Sequence, residues 1–144
     1  MPPYRRSTHT VYHCHYHFVF TTKFRKPVLR GDVGLRLREL TRVICRGMDI
    51  EILAGHVRPD HVHLLLDVPP HLPPSRVMQA IKGKTSHSML SDWRQLRREF
   101  WGRHLWARGY FVCTSGNVTE GMIKEYIENQ GADPEEEGKF QVTE

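Results

Sequence analysis

Two runs of strand-forming residues around a turn of three constrain this chain most. Residues 49–57 and 62–68 flank Arg58-Pro59-Asp60, and the Pro-Asp pair suits a tight connection, so the segment predicts an antiparallel hairpin. On each side of that hairpin the sequence reads as a strand and a helix. Upstream, residues 11–22 (VYHCHYHFVFTT) are rich in aromatic and β-branched types. Alternation sends Tyr12, Cys14, Tyr16, Phe18 and Phe20 to one face, read as core, and His13, His15, His17, Val19 and Thr21 to the other. After a basic loop over 23–30, residues 32–47 place Val33, Leu37, Leu40, Val43 and Ile44 at helical spacing, with Gly47 beyond the end. Downstream, a Pro-rich stretch leads to Ser75, read as the N-cap of a helix running to about Trp93 with Val77, Ala80, Ile81, Met89 and Leu90 inward. Residues 110–114 form a short fourth strand. Residues 119–130 form a last helix with Met122, Ile123, Tyr126 and Ile127 along one side and Gly131 as its stop.

The resulting order, β-α-β-β-α-β followed by a helix, predicts an α+β fold. It is a ferredoxin-like or RRM-like antiparallel sheet with two helices on one face, the other face open, and an additional C-terminal helix carrying Tyr126. A chain of 144 residues fits one domain, with an ordered core over about 10–130 and an acidic, flexible tail over 131–144 that holds Asp133, Glu135, Glu136, Glu137 and Glu144. No apolar run approaches the roughly 20 residues of a membrane span. The basic N-terminus lacks the apolar segment of a signal peptide, so a cytoplasmic location is expected. Cys14, Cys45 and Cys113 are widely spaced with no C-x-x-C pair, which argues against a disulfide framework or a thiolate zinc site. The net charge of +5 understates how basic the body is, because the acids gather in the tail. A polyanionic partner fits such a body, though many soluble enzymes share that balance.

Two groups of residues could carry chemistry. His61 and His63 lie two apart in an expected strand, so both imidazoles project from one face while Val62, Leu64 and Leu66 project from the other. Imidazole is the commonest protein metal ligand, yet a histidine pair beside a turn is also an ordinary surface feature. Tyr126 and Gln130 stand at i and i+4 on one helix face. A phenol can attack phosphorus, but with a pKa near 10 only about one part in a thousand is ionised at neutral pH, so it needs activation. By spacing alone, the favoured reading is that Tyr126 continues the apolar stripe of Met122 and Ile123 and packs.

Resemblance adds to this reading. Arg58-Pro59-Asp60-His61-Val62-His63-Leu64-Leu65-Leu66 resembles the P-D-H-V-H-L-L signature of the HUH single-tyrosine transposases of small insertion sequences, the TnpA type. Residues 16–25 (YHFVFTTKFR) are similar to the family's first strand, and Ile81-Lys82-Gly83-Lys84 to its Lys-Gly helix. Trp101-Gly102, Trp106, Gly109-Tyr110-Phe111-Val112 and Tyr126-Ile127-Glu128-Asn129-Gln130 follow in the family's order. The resemblance implies a DNA transposase in which His61, His63 and Gln130 bind Mg²⁺ or Mn²⁺ and Tyr126 attacks a DNA phosphate, giving a 5′-phosphotyrosine and a free 3′-hydroxyl. It further implies single-stranded DNA with hairpin ends as partner, and a homodimer in which the tyrosine helix of one protomer completes the site of the other. By ligand preference alone, two imidazoles would suit zinc, nickel or iron better.

For DNA binding, the open sheet face with Lys82, Lys84, Arg94, Arg97, Arg98, Arg103 and Arg108 offers the charge that grips single strands. The alternative for the three arginines from 94 to 98 is a solvated helix face. For Trp101 and Trp106 the favoured reading is core or dimer interface. His13, His15 and His17 read as surface or structural residues rather than a second metal site. Two rival functions remain at this stage. One is a chromosomal relative that processes repeated palindromes, which the acidic tail disfavours. The other is a non-catalytic nucleic-acid-binding domain.

Overall fold

The computed structural model describes residues 4–101, 104–114, 121, 125–126 and 141–142. Strand β1 (Arg5–Arg6) pairs antiparallel with β2 (Val11–Tyr12) in a small ribbon, followed by β3 (His15–Thr21). Helix α1 (Gly31–Gly47) leads to β4 (Glu51–Val57) and β5 (His61–Asp67), then to α2 (Pro74–Asp92), α3 (Arg94–Glu99), β6 (Phe111–Thr114) and β7 (Gln141–Val142). The main sheet has the order β6-β3-β5-β4-β7. In its first four strands each runs antiparallel to its neighbour, and β7 joins β4 in parallel.

The expected hairpin forms, with Arg58 N–H donating to His61 O at 2.8 Å across the turn. Alternation then decides the faces. Phe18, Phe20, Val57, Val62, Leu64 and Leu66 are buried in one cluster with the inner residues of α1 and α2, so both helices cover that face. Burying such side chains contributes roughly 1.5–3 kcal/mol each, and this face supplies the core. Cys45 sits within it, its thiol pushed up to about 12 by burial, an inert packing residue.

Several expectations are corrected. The strand over 11–22 is broken between Tyr12 and His15, and its first part turns away to pair with β1. Val43 is exposed, because the buried line of α1 runs through Val33, Leu37, Thr41, Ile44 and Cys45 and Val43 lies off that stripe. Ser75 is not the cap of α2. Pro73 holds that position with extended backbone and the helix begins at Pro74, where a missing N–H costs no intrahelical bond. Within 131–144, expected as a flexible tail, Gln141–Val142 form an edge strand, and Val142 packs on the core. Gly34 in α1 makes room for it: a Cβ there would lie 2.5 Å from Val142 Cγ1. The expected last helix falls mostly outside the described residues, although Gly121, Glu125 and Tyr126 are helical.

Candidate active site

The second sheet face, expected to be open, is buried around its histidines. It carries His15, His17, Val19 and Thr21 from β3, His61, His63, Leu65 and Asp67 from β5, and Phe111 and Cys113 from β6, as the register requires. His61 is 4% exposed and His63 7%, while Val19 between them and β6 is fully buried. His56 joins this face through a bulge. Strict alternation from Ile52 would aim His56 at the helices, but the register shifts between Ile52 and Ala54, which sets His56 directly opposite His63.

The two histidines are held differently. His61 Nδ1 lies 2.9 Å from Asp60 Oδ1, so Nδ1 carries the proton and the lone pair sits on Nε2. That is the usual arrangement of a carboxylate orienting a metal-binding imidazole. Asp60 is itself fixed: its carbonyl accepts from Thr22 N at 2.9 Å and Thr22 Oγ1 at 3.3 Å, and Arg25 Nε stands 3.7 Å from its carboxylate. His63 Nε2 lies 3.0 Å from Nδ1 of His17, two strand positions from its directly paired residue. Among the described residues no group of three or more His, Cys, Asp or Glu is placed to hold a metal. Two aligned imidazoles on a rigid sheet, one with an oriented lone pair, do fit a divalent cation whose remaining ligands come from elsewhere.

Tyr126 reaches this same face. Its ring packs on Phe111, 5.7 Å between centroids, and Phe111 pairs with Val19, which pairs with His63. Phe111 and His63 are therefore two strands apart, roughly 10 Å. Burial raises the Tyr126 pKa above its ordinary value, so at neutral pH the group is a phenol. The structure thus brings Tyr126, His61 and His63 to one face; Gln130 lies outside the described residues. His17 and Asp60 are the site neighbours that the sequence reading did not assign. Asp60 was visible in the signature, whereas His17 depends on the register between β3 and β5.

The basic candidates divide. Lys82 is half-buried and donates to Ala107 O at 2.9 Å and Gly109 O at 2.7 Å, with desolvation lowering its pKa; it ties α2 to the segment before β6. Arg97 Nη1 donates to Leu90 O and Ser91 O, each at 2.8 Å, satisfying carbonyls at the end of α2. Lys84, Arg94, Arg98 and Arg108 are exposed, and Arg103 lies outside the described residues. A groove of about 730 Å³ beside α2 gathers Lys23, Lys82, His87, Arg97, His104 and Arg108, of which Lys23, His87 and His104 were not among the sequence candidates. Trp106 is a core residue, its Nε1–H donating to Thr85 Oγ1 at 2.9 Å. Trp101 is not: it is 86% exposed.

The chain is similar to several known proteins. The family described as "Transposase IS200 like" matches residues 10–130. The transposase for insertion sequence element IS200 of Salmonella typhimurium is 34% identical over 122 residues, which covers 85% of this chain and 80% of that protein. The ISDra2 transposase TnpA of Deinococcus radiodurans is 35% identical over 120 residues, covering 83% and 86%. Among solved structures, a candidate transposase from Deinococcus radiodurans R1 superposes with a TM-score of 0.81 at 35% identity, over 89% of this chain and 98% of that one. A REP-associated tyrosine transposase bound to a REP hairpin shares the fold at TM-score 0.56 and 20% identity, over 90% of this chain and 68% of its own.

Proposed function

This chain belongs to the IS200-like transposase family, and from that premise we propose that it cuts and rejoins single-stranded DNA at insertion-sequence ends through a covalent 5′-phosphotyrosine at Tyr126. One observation carries the reading: Tyr126 packs on Phe111, on the sheet face that also carries His61 and His63. The strand order β6-β3-β5-β4 around the β4–β5 hairpin supports a ferredoxin-like scaffold, with the tyrosine on an added C-terminal helix.

In the cleavage step the Tyr126 hydroxyl oxygen forms a bond to a DNA phosphorus and the bond from phosphorus to the 3′ oxygen breaks. The phenol proton is lost and the leaving oxygen gains one, which releases a 3′-hydroxyl. Reversal, with a 3′-hydroxyl as nucleophile, reseals a strand and frees Tyr126. Because the phosphodiester is exchanged rather than hydrolysed, no external energy source is needed. His61, His63 and Gln130 would hold Mg²⁺ or Mn²⁺. The bound cation would polarise the scissile phosphate and offset negative charge as the tyrosine attacks. Asp60 keeps His61 in the tautomer that presents Nε2. The apolar contact with Phe111 keeps the tyrosine in place and neutral until substrate arrives.

The partner is single-stranded DNA with hairpin ends, gripped by Lys84, Arg94, Arg98, Arg103 and Arg108, and the active unit is a homodimer in which the Tyr126 helix, packed on its own chain's Phe111 in this structure, exchanges between protomers so that each tyrosine completes the other's site. No helix among the described residues is long and apolar enough to cross a membrane, consistent with work on DNA in the cytoplasm. The deciding experiment incubates the protein with labelled single-stranded DNA carrying the element's terminal hairpin, with Mg²⁺, Mn²⁺ or EDTA. A denaturation-resistant adduct that needs both metal and Tyr126, and is lost in Tyr126→Phe, is the expected result. DNA binding with no adduct under any metal would instead make the protein a binding module.

A further inference from the structure

The contact between His17 and His63 has a defined form. The nitrogens His17 Nδ1 and His63 Nε2 are 3.0 Å apart, the ring centroids are 5.3 Å apart and the planes differ by 29°. The centroid separation is close to the nitrogen-to-nitrogen distance plus one ring radius at each end. Each nitrogen therefore points along its own ring plane at the other, as in a straight N–H···N hydrogen bond. Two imidazoles converging on one cation would instead aim their lone pairs at a third point, which draws the centroids closer together.

A straight bond between these nitrogens contains one proton, and its location sets what His63 can do. If His17 donates, His63 Nε2 spends its lone pair on that bond and Nδ1 carries the other proton, so His63 has no lone pair for a cation. If His63 donates through Nε2–H, its lone pair is on Nδ1. Asp60 makes the equivalent selection for His61 by accepting from Nδ1. The two histidines of the pair would thus be oriented by different neighbours through opposite ring nitrogens.

Resting on the metal site proposed above, we infer that His17 is a positioning residue which accepts a hydrogen bond from His63 Nε2–H and so turns the Nδ1 lone pair of His63 to the cation. It does so without being a ligand itself. His17 reaches His63 only because β3 and β5 pair Val19 with His63 and His17 with Leu65, leaving the two rings diagonal on one face.

The test begins on the metal-free full chain, with long-range ¹H–¹⁵N NMR of the histidine rings. His63 is expected as the Nε2–H tautomer, and finding Nδ1–H would overturn the inference whatever the metal does. Mn²⁺ titration without DNA then compares wild type, His17→Ala and His17→Gln. Loss of an orienting partner weakens metal binding about 10- to 100-fold, so His17→Ala should lose that much. His17→Gln, which keeps an acceptor, should recover most of it at an unchanged unfolding midpoint. Electron spin-echo spectroscopy of bound Mn²⁺ should count the same number of coordinated imidazole nitrogens in wild type and His17→Ala. One fewer in the variant would make His17 a ligand, tighter binding by His17→Ala would make it a competitor of the metal, and equal binding would leave it no part in holding the metal. Any of these results overturns the inference while leaving the metal site standing. Wild type that binds no Mn²⁺ overturns both.

Discussion

The two faces of the central sheet are built from the same strands and do opposite work. Toward α1 and α2, Phe18, Phe20, Val62, Leu64 and Leu66 fill a core that is predominantly apolar. One residue over on each strand, buried His61, His63 and Val19 share a face with half-buried His17 and Phe111. Burying imidazoles costs free energy unless each polar nitrogen is satisfied, and this cost is offset at His61 by Asp60 and at His63 by His17. The difference shows how a small domain separates stability from chemistry. Alternation places the two sets within one strand, yet substitutions in one set need not disturb the other.

The sharpest way to break this comparison is to alter adjacent residues that face opposite ways. His63→Ala or His61→Ala should abolish metal-dependent cleavage in the adduct assay while leaving hairpin binding and the unfolding midpoint near wild type, because binding rests on basic residues elsewhere. Leu64→Ala, next to His63 in sequence, should cost about 2–5 kcal/mol of stability in denaturant unfolding and keep its Mn²⁺ affinity as long as it is folded. If folded Leu64→Ala loses metal, the two faces are not separable.

A smaller effect is expected at the sheet edge. Gly34→Ala would drive a methyl against Val142 and Leu29 O, so overpacking of about 1–3 kcal/mol is expected, read as a lower unfolding midpoint. Deleting residues 141–144 from that variant should remove most of the penalty. An unchanged midpoint in Gly34→Ala would mean that β7 does not dock there in solution.

The smallest effect concerns pH. Burial raises the Tyr126 pKa above 10.0, so folding favours the neutral phenol. Its stabilising contribution is full below about pH 10 and is lost as pH rises through the folded value. In an ultraviolet titration, the difference between wild type and Tyr126→Phe should show a phenol ionising above the ordinary tyrosine range. A midpoint at or below 10 would place Tyr126 in water rather than against Phe111.

Much of this arrangement was legible in the sequence, for local reasons. A period of two separates His61 and His63 from Val62 and Leu64, and Arg58-Pro59-Asp60 closes the hairpin that aligns them. Where the sequence reading went astray or was silent, packing and register decided. Val43 matched helical spacing but missed the stripe that packs. The bulge between Ile52 and Ala54 moved His56 to the other face. The two-residue strands β1, β2 and β7 are too short to leave a periodic signal. The basic residues looked alike in sequence, and only packing shows that Lys82 and Arg97 are committed to backbone carbonyls while Lys84 and Arg98 face solvent.

The sequence by itself determined the principal strands and helices, the division of β3 and β5 into an apolar and a histidine-bearing side, and the chemistry available at positions 61, 63 and 126. Tertiary structure decided which of those side chains meet. Strand register laid His17 against His63 and set Phe111 in line with them, and the packing of Tyr126 on Phe111 completed the face. Periodicity fixes the direction of a side chain relative to its own strand, whereas its neighbours depend on pairings between residues far apart in the chain, which no local pattern encodes.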